Sequence, residues 1–497
     1  MFLLSLSVAW ATILTVPPYP DITTAIDAAD PGDEIHVDAG EWSAPGVITK
    51  DITIRPMLGV ALPTWSGAET LIQDGASVYI AGFRFLPGSR LVVEDATLQV
   101  KQSHFIGDGV TGQPLSVTNG SLEVVGVRIA RQVNGPAIRA VGSDVVVASS
   151  EFLRNEAVAE PTAIRVDDGS LVVRNSVFEN HELTYVGDEF YGGDPNTWPL
   201  LGAGVIWVEG TMTLTDSTFE QNTIHFLPTE PSPWNPWPPR ASGGAVEGTG
   251  DALVANTTFR NNRIEWEGEA TGRGSGMAWG GTLQVTSSSF DQGVSSGLWA
   301  TGRSLDVRDC QFTHNDGVGL EVSTDFAVIT DSHFEGNHAQ HGGGLEARHG
   351  TTFIDNTTFH ANTATHGGGG AFLGGFGSHV SNSVFTDNES LINGGAVHID
   401  QGTHTLDHTQ FIGNVAADDG GGIYADDWSI DLTIRHSWLC GNAAGQQGGG
   451  LAVETGHAQL RTASWKTTRP ASGAAPRASS THGTVPSPTT APRTPRG

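Results

Sequence analysis

Along most of the chain apolar and polar residues alternate with a period of two, as in "AVHIDQGTHTLDHTQF" (Ala396–Phe411). Alternation rich in β-branched and aromatic residues predicts short strands with one face buried, and these stretches carry no helical period. A longer rhythm is laid over the alternation. A Ser/Thr-x-Phe-x-x-Asn phrase puts an aromatic residue at Phe152, Phe178, Phe219, Phe259, Phe290, Phe312, Phe334, Phe359, Phe385 and Phe411, with Leu439 next. Weaker copies reach back through Ile129 and Phe105 to Phe85.

Where no long insertion intervenes, these slots lie 22–28 residues apart. A second marker is the apolar residue after a glycine run: Val246, Met277, Leu298, Leu320, Leu345, Phe372 or Val397. It precedes the next slot by 13 or 14 residues. Units of this length with two or three strands each suit one coil of a β-solenoid, with successive coils stacked in parallel about 4.8 Å apart. The slot residues then point inward and stack along the core. Asn362 and its equivalents sit at a bend, where their amides can form a ladder, and glycines 367–370 allow the tight turn that follows.

The paired glycine-run and Phe-x-x-Asn phrases resemble the polymorphic outer-membrane-protein repeat of chlamydial and other bacterial surface proteins. The stretch "DITTAIDAADPGDEIHVDAGEWSAPGVITKDITIRP" (Asp21–Pro56) is similar to the opening of pectin-lyase-like right-handed parallel β-helix proteins. There a short helix caps the rod, and Ile22, Ala25, Ile26 and Ala29 form the apolar stripe of such a helix. Together the two resemblances span roughly Asp21 to Leu460. They imply an all-β fold, a right-handed parallel β-helix of about 14 coils and about 65 Å with an N-terminal helix cap. They say little about activity, which resides in sites grafted on such a scaffold.

The ends depart from the repeat. "MFLLSLSVAWA" is apolar and ends in Ala9-x-Ala11, so residues 1–11 are expected to be a secretory signal; the alternative is a buried first strand. The β-helix is expected over 12–460. Residues 461–497, rich in Pro, Ser, Thr and Ala with no Asp or Glu, read as a disordered tail, either a natural linker or the product of a lost reading frame. No stretch approaches the roughly 18 apolar residues of a membrane-spanning helix. Cys310 and Cys440 lie five coils apart, about 24 Å by the coil rise, too far for a disulfide.

Composition narrows the partner. The 497 residues carry 25 Lys and Arg against 54 Asp and Glu, a net charge of −29, which argues against nucleic acid. Three long insertions, around 184–203, 223–242 and 263–281, leave the coil at one phase. Residues 184–299 hold seven of the 13 tryptophans. Trp198, Trp234, Trp237, Trp266 and Trp279 are candidate contact residues for an extracellular carbohydrate or protein; the competing reading is a loop mini-core closed by its own aromatics.

Counting outward from Val397 makes His398 and Asp400 solvent-facing and stacks Asp400, Asp426 and Glu454 in a column, a candidate oxygen-ligand site for Ca2+. In pectin-lyase-like lyases acidic Ca2+ ligands work beside an Arg or Lys base, and the resemblance makes Arg348, His398, Asp400 and Asp426 the catalytic candidates. The hydrolase signatures Gly-His-Gly and Arg-x-Lys are absent, and a solvated acidic face remains the plainer reading. His333, His338, His341, His349, His360 and His366 crowd the turns without metal spacing and read as exposed turn residues. Three functions follow: a secreted or surface-displayed adhesion rod, with outer-membrane association; an extracellular polysaccharide lyase or hydrolase; or a structural envelope protein.

Overall fold

The structure, a computed structural model, describes residues 11–67, 69–107, 113–186, 204–227, 242–266, 272–461 and 464–466. Strands of successive coils pair in parallel, as Leu345–Ala347 does with Leu320–Thr330 before it and Ala371–Leu373 after it. The result is a right-handed β-helix with three faces. One face is a long sheet with two arms per coil, such as Val397–Ile399 and Thr403–Asp407. Between Ile164 and Thr330 the two arms run on as single strands such as Met277–Thr286. The second face is a stack of short strands carrying the aromatic slots. The third is interrupted, with one run from Glu156–Val158 to Arg263–Trp266 and another from His338–His341 to Ala443–Ala444.

Among the described residues the second face holds seventeen strands, from Glu41–Ser43 to Ser464–Lys466, rather than about fourteen. Sixteen steps of ~4.8 Å give a rod of about 77 Å. The additional rungs have Trp42, Trp65 and Trp465 in register with the phenylalanine slots but lack the full phrase around them.

Each position of the phrase has its own function in the coil. In "NTTFHAN" (Asn356–Asn362) the first Asn takes φ +47° at the bend between faces, a conformation that Asn tolerates better than most residues. Thr357 is fully buried; its amide donates to the Ser383 hydroxyl at 3.2 Å, and its own hydroxyl donates to Asp355 O at 2.9 Å. Phe359 stacks between Phe334 and Phe385 with ring centroids 4.7 and 4.4 Å apart. The stack is unbroken from Phe152 to Phe411. Asn362 closes the phrase: its Nδ2 donates to Phe334 O and Asn388 Oδ1, both at 3.0 Å, while its Oδ1 accepts from Asn337 N and Nδ2 at 3.1 and 2.9 Å. These bonds satisfy polar groups that the bend takes out of water. Cys310 occupies the hydroxyl position of its coil, and burial pushes its thiol up to about 11.

The glycine run then makes a tight turn and lets neighbouring coils touch: at Gly369 a Cβ would lie 2.4 Å from Glu389 O of the next coil. At Gly368 φ is +70°, and a Cβ would lie 2.2 Å from Ala371 O. No side chain fits there.

At the N-terminus the helix spans Ile22–Ala28 and buries Ile22, Ala25 and Ile26, the expected stripe. Asp21 caps it by accepting from Thr24 N at 2.7 Å, and Lys50 Nζ donates to the carbonyls of Ile26, Asp27 and Ala29 at its other end. Ile13–Val16 is the first described strand and pairs with Asp33–Val37. Residues 1–10, most of the expected signal segment, lie outside the described residues, as do 467–497. The coil continues past residue 460 through His457–Arg461 to Ser464–Lys466.

The insertions begin later and end sooner than their sequence suggests. Glu182–Val186, Thr223–Leu227 and Arg263–Trp266 are strands of one four-stranded sheet with Glu156–Val158, and Met277–Thr286 is an ordinary strand of the long sheet. The roots enclose a small apolar cluster of Ala157, Leu183, Tyr185, Ile224, Phe226 and Ile264, with Tyr185 stacked on Phe226 at 5.1 Å.

Candidate functional site

On the long face, one outward column runs Trp207, Glu247, Ala278, Trp299, Glu321, Glu346, Phe372, His398 and Tyr424, each residue paired with the next across one coil. Phe372 belongs to this column, so the inward marker of its coil is Ala371, one residue earlier. Four glycines precede Ala371, and the small residue disguises the phase.

The part from Trp299 to Tyr424 spans about 24 Å, five coil steps, and its side chains are knitted together. Arg273 lies 5.2 Å from the Trp299 ring centroid and pairs with Glu321 at 3.0 Å. Arg348 pairs with Glu346 and lies 4.6 Å over Phe372. The His398 ring stands 5.0 Å from both Phe372 and Tyr424, and the His341 ring packs on Phe372 at 5.2 Å and on His366 at 5.3 Å. Half-buried His341 is not an exposed turn residue: burial first, then Arg348 and the other imidazoles, lower its pKa to about 4. Trp299 Nε1, His341 Nδ1 and His398 Nδ1 are buried with no hydrogen-bond partner among the described residues. Three orphaned polar atoms in one strip mark hydrogen-bonding capacity that the chain itself leaves unused.

Beside this column, Asp400, Asp426 and Glu454 follow the strands Val397–Ile399, Ile423–Ala425 and Leu451–Val453 in successive coils. Their carboxylates part company. Asp426 lies 3.5 Å from His398 Nε2, and Glu454 accepts from the Tyr424 hydroxyl at 2.5 Å. Burial first, then that hydrogen bond and the nearby carboxylates, raise the Tyr424 pKa and keep the phenol protonated. The three carboxylates do not converge as a Ca2+ cage would require; among the described residues the one trio of metal-ligating groups lies elsewhere, at Asp407, His408 and His436. Reaching back to an aromatic partner separates like charges better than crowding them at the coil spacing. Arg348 likewise has its guanidinium committed to Glu346.

Trp279 is not a surface contact. It points inward in register with Val208, Gly248 and Ala300, is 2% exposed, and donates from Nε1 to Gly250 O at 3.0 Å. The room for its ring comes from Gly248, where a Cβ would lie 2.4 Å from Trp279. Trp266 ends a strand of the insertion sheet. Trp198, Trp234 and Trp237 lie outside the described residues.

Sequence reasoning also passed over His181. It stands three residues after Phe178 where other coils have Asn, is fully buried, and donates from Nε2 to Phe152 O at 3.0 Å while Thr162 Oγ1 lies 2.9 Å from Nδ1. Burial lowers its pKa to about 4, against the smaller opposing effect of the Phe152 carbonyl. The signal was its place in the phrase.

Residues 200–363 match the family described as the right handed beta helix region, and residues 408–426 match the Chlamydia polymorphic membrane protein repeat. No curated protein matches the chain. Among solved structures, a catalytic domain of GH87 alpha-1,3-glucanase in complex with nigerose is 9% identical with a TM-score of 0.24, covering 91% of this chain and 68% of that one. The Azotobacter vinelandii mannuronan C-5 epimerase AlgE6 A-module is 12% identical with a TM-score of 0.21, covering 89% and 93%. Likenesses this distant assign no substrate. No described helix is long and apolar enough to cross a membrane. The ladders of the core, the seventeen parallel rungs among the described residues and the match over 200–363 give this chain the right-handed parallel β-helix fold, with a segment at 408–426 that matches the polymorphic-membrane-protein repeat.

Proposed function

We propose that the protein is a secreted or surface-displayed binding rod, whose outer strip from Trp299 to Tyr424 holds an extracellular carbohydrate. The observation that carries this reading is the strip itself. It presents the partly exposed ring of Trp299, with the buried rings of Phe372 and Tyr424 packed beneath their charged and imidazole neighbours, acidic and guanidinium groups between them, and three orphaned polar atoms, spread along the rod rather than gathered in a pocket. The Trp299 ring can stack on a sugar face while the partly exposed guanidinium groups of Arg273 and Arg348 bond hydroxyl groups.

Binding is favoured over catalysis because the strip's carboxylates are engaged. Glu321 and Glu346 pair with arginines, Asp426 with His398, and Glu454 with Tyr424. Glycoside hydrolysis uses two carboxyl groups free to flank one bond.

The test is binding of full-length protein to immobilised neutral and acidic polysaccharides, with mass spectrometry of the eluted sugar. The expected result is retention on at least one polymer, weakened at least tenfold in Trp299→Ala with unchanged circular dichroism, and intact eluted sugar. Failure to bind any polymer would overturn the reading. Cleaved or unsaturated products would replace it with the lyase or hydrolase reading.

A further inference from the structure

Asp407, His408 and His436 lie on the opposite arm of the long face from the strip, at the bend into the aromatic-slot face. Asp407 ends the strand Thr403–Asp407, and His408 follows it in the left-handed conformation, φ +49°. His436, also at φ +49°, holds the same turn one coil later, after Arg435, which is in register with Asp407. Both imidazoles present Nδ1 to one oxygen: His408 at 2.9 Å and His436 at 3.0 Å from Asp407 Oδ1. The two rings stack with centroids 4.7 Å apart, and the three donor atoms all lie within 4.8 Å of one another.

The preceding coils show what this turn needs for structure alone. There it carries Asn356 and Asn382, and Asn382 Nδ2 donates to Asp355 Oδ1 at 2.8 Å, the same one-coil-back relation as His436 to Asp407. An amide therefore satisfies the turn. Two consecutive histidines add something the fold does not require: two nitrogen ligands aimed at a carboxylate oxygen, on side chains 59% and 48% exposed to solvent.

We propose that Asp407, His408 and His436 form a binding site for a divalent transition metal of the zinc type, which staples one coil to the next. Tetrahedral zinc holds His nitrogen and carboxylate oxygen at about 2.0–2.2 Å, so its ligand atoms stand about 3.4 Å apart. The two Nδ1–Oδ1 separations of 2.9 and 3.0 Å need to open by only about half an ångström. Solvent supplies the fourth ligand. Arg435 Nε lies 3.0 Å from the other oxygen, Asp407 Oδ2, where it orients the carboxylate from outside the ligand set. Its charge opposes the metal's and holds the affinity below that of a structural zinc finger. Nitrogen ligands disfavour Ca2+. The staple lies one coil from the last described one, where Leu451 and Val453 are only partly buried and Leu460 is 40% exposed.

Titration calorimetry of the full chain with ZnCl2 at pH 7.5 tests the site. The expected result is one zinc per chain with Kd in the micromolar range, weakened at least tenfold in His408→Asn/His436→Asn. Without metal that variant should melt at the wild-type temperature, because asparagine serves this turn two coils earlier; zinc should raise Tm of the wild type only. If the double variant is less stable, His436→Asn alone and Asp407→Asn carry the comparison. No zinc binding by the wild type, binding unchanged in the variants, or equal binding of CaCl2 would each overturn the proposal.

Discussion

Replacing Asn362 by alanine removes four side-chain hydrogen bonds at a fully buried position, two donated and two accepted. At a net value of about 1 kcal/mol each the loss is about 4 kcal/mol, before any further cost of the polar groups left bare. The amide ladder contains its own control. Asn155 is equally buried, yet it accepts one bond, from Gln132 N at 3.0 Å, and its Nδ2 has no partner among the described residues. Asn155→Ala should therefore cost about 1 kcal/mol or less. Both substitutions remove the same atoms from the same place in a coil, so cavity terms nearly cancel. The difference, about 3 kcal/mol, belongs to the ladder. Urea unfolding followed by circular dichroism measures it, with hydrogen-exchange mass spectrometry to localise the effect, because solenoids need not unfold in two states. Costs equal to within about 1 kcal/mol would refute the claim that the amides act as a connected ladder.

Three further outcomes are expected. His181 stays neutral down to about pH 4 when folded but titrates near 6.5 when unfolded, so its contribution to stability is full above pH 6.5 and is lost as pH falls toward 4, roughly 3 kcal/mol in all; His181→Asn should reduce that part of the slope of the stability–pH curve, leaving the share from His341 and His404, which burial also lowers, and an unchanged curve would count against the assignment. Trp279→Ala should destabilise by about 3–5 kcal/mol through the cavity it leaves while sugar binding at the outer strip is unaltered, and a loss of affinity without loss of stability would return Trp279 to the contact surface. Gly368→Ala, at φ +70° and 2.2 Å from a carbonyl oxygen, should cost at least about 1–3 kcal/mol in the same denaturation assay, and a neutral result would mean the glycine run tolerates side chains.

The fold was legible because each coil repeats its instructions. Phe359 and Asn362 recur in phase with their neighbours, and the glycines mark the bend. What was missed follows from local departures. Trp42 and Trp65 fill the slot without the flanking Asn, so their rungs did not announce themselves. Trp279 lies two residues after Met277, itself an inward marker, and the period-two rule placed it inside; its chemistry, which suits a surface, argued the other way. Phe372 was misphased by one residue, and with it the centre of the outer strip. The pairings of Asp426 with His398 and Glu454 with Tyr424 depend on side-chain direction across coils, which spacing along one chain does not encode.

The core ladders also bear on how the rod carries load. Its backbone hydrogen bonds lie nearly parallel to the long axis, so tension applied through the ends does not shear many bonds together but peels one coil at a time. Between Phe359 and Phe385 a coil is 26 residues, and its release would pay out roughly 90 Å of extended chain at about 3.4 Å per residue. A molecule built this way lengthens in steps, each step spending one layer of the stack and leaving the next intact. Such a rod would yield gradually under load, with the unreleased coils keeping their packing.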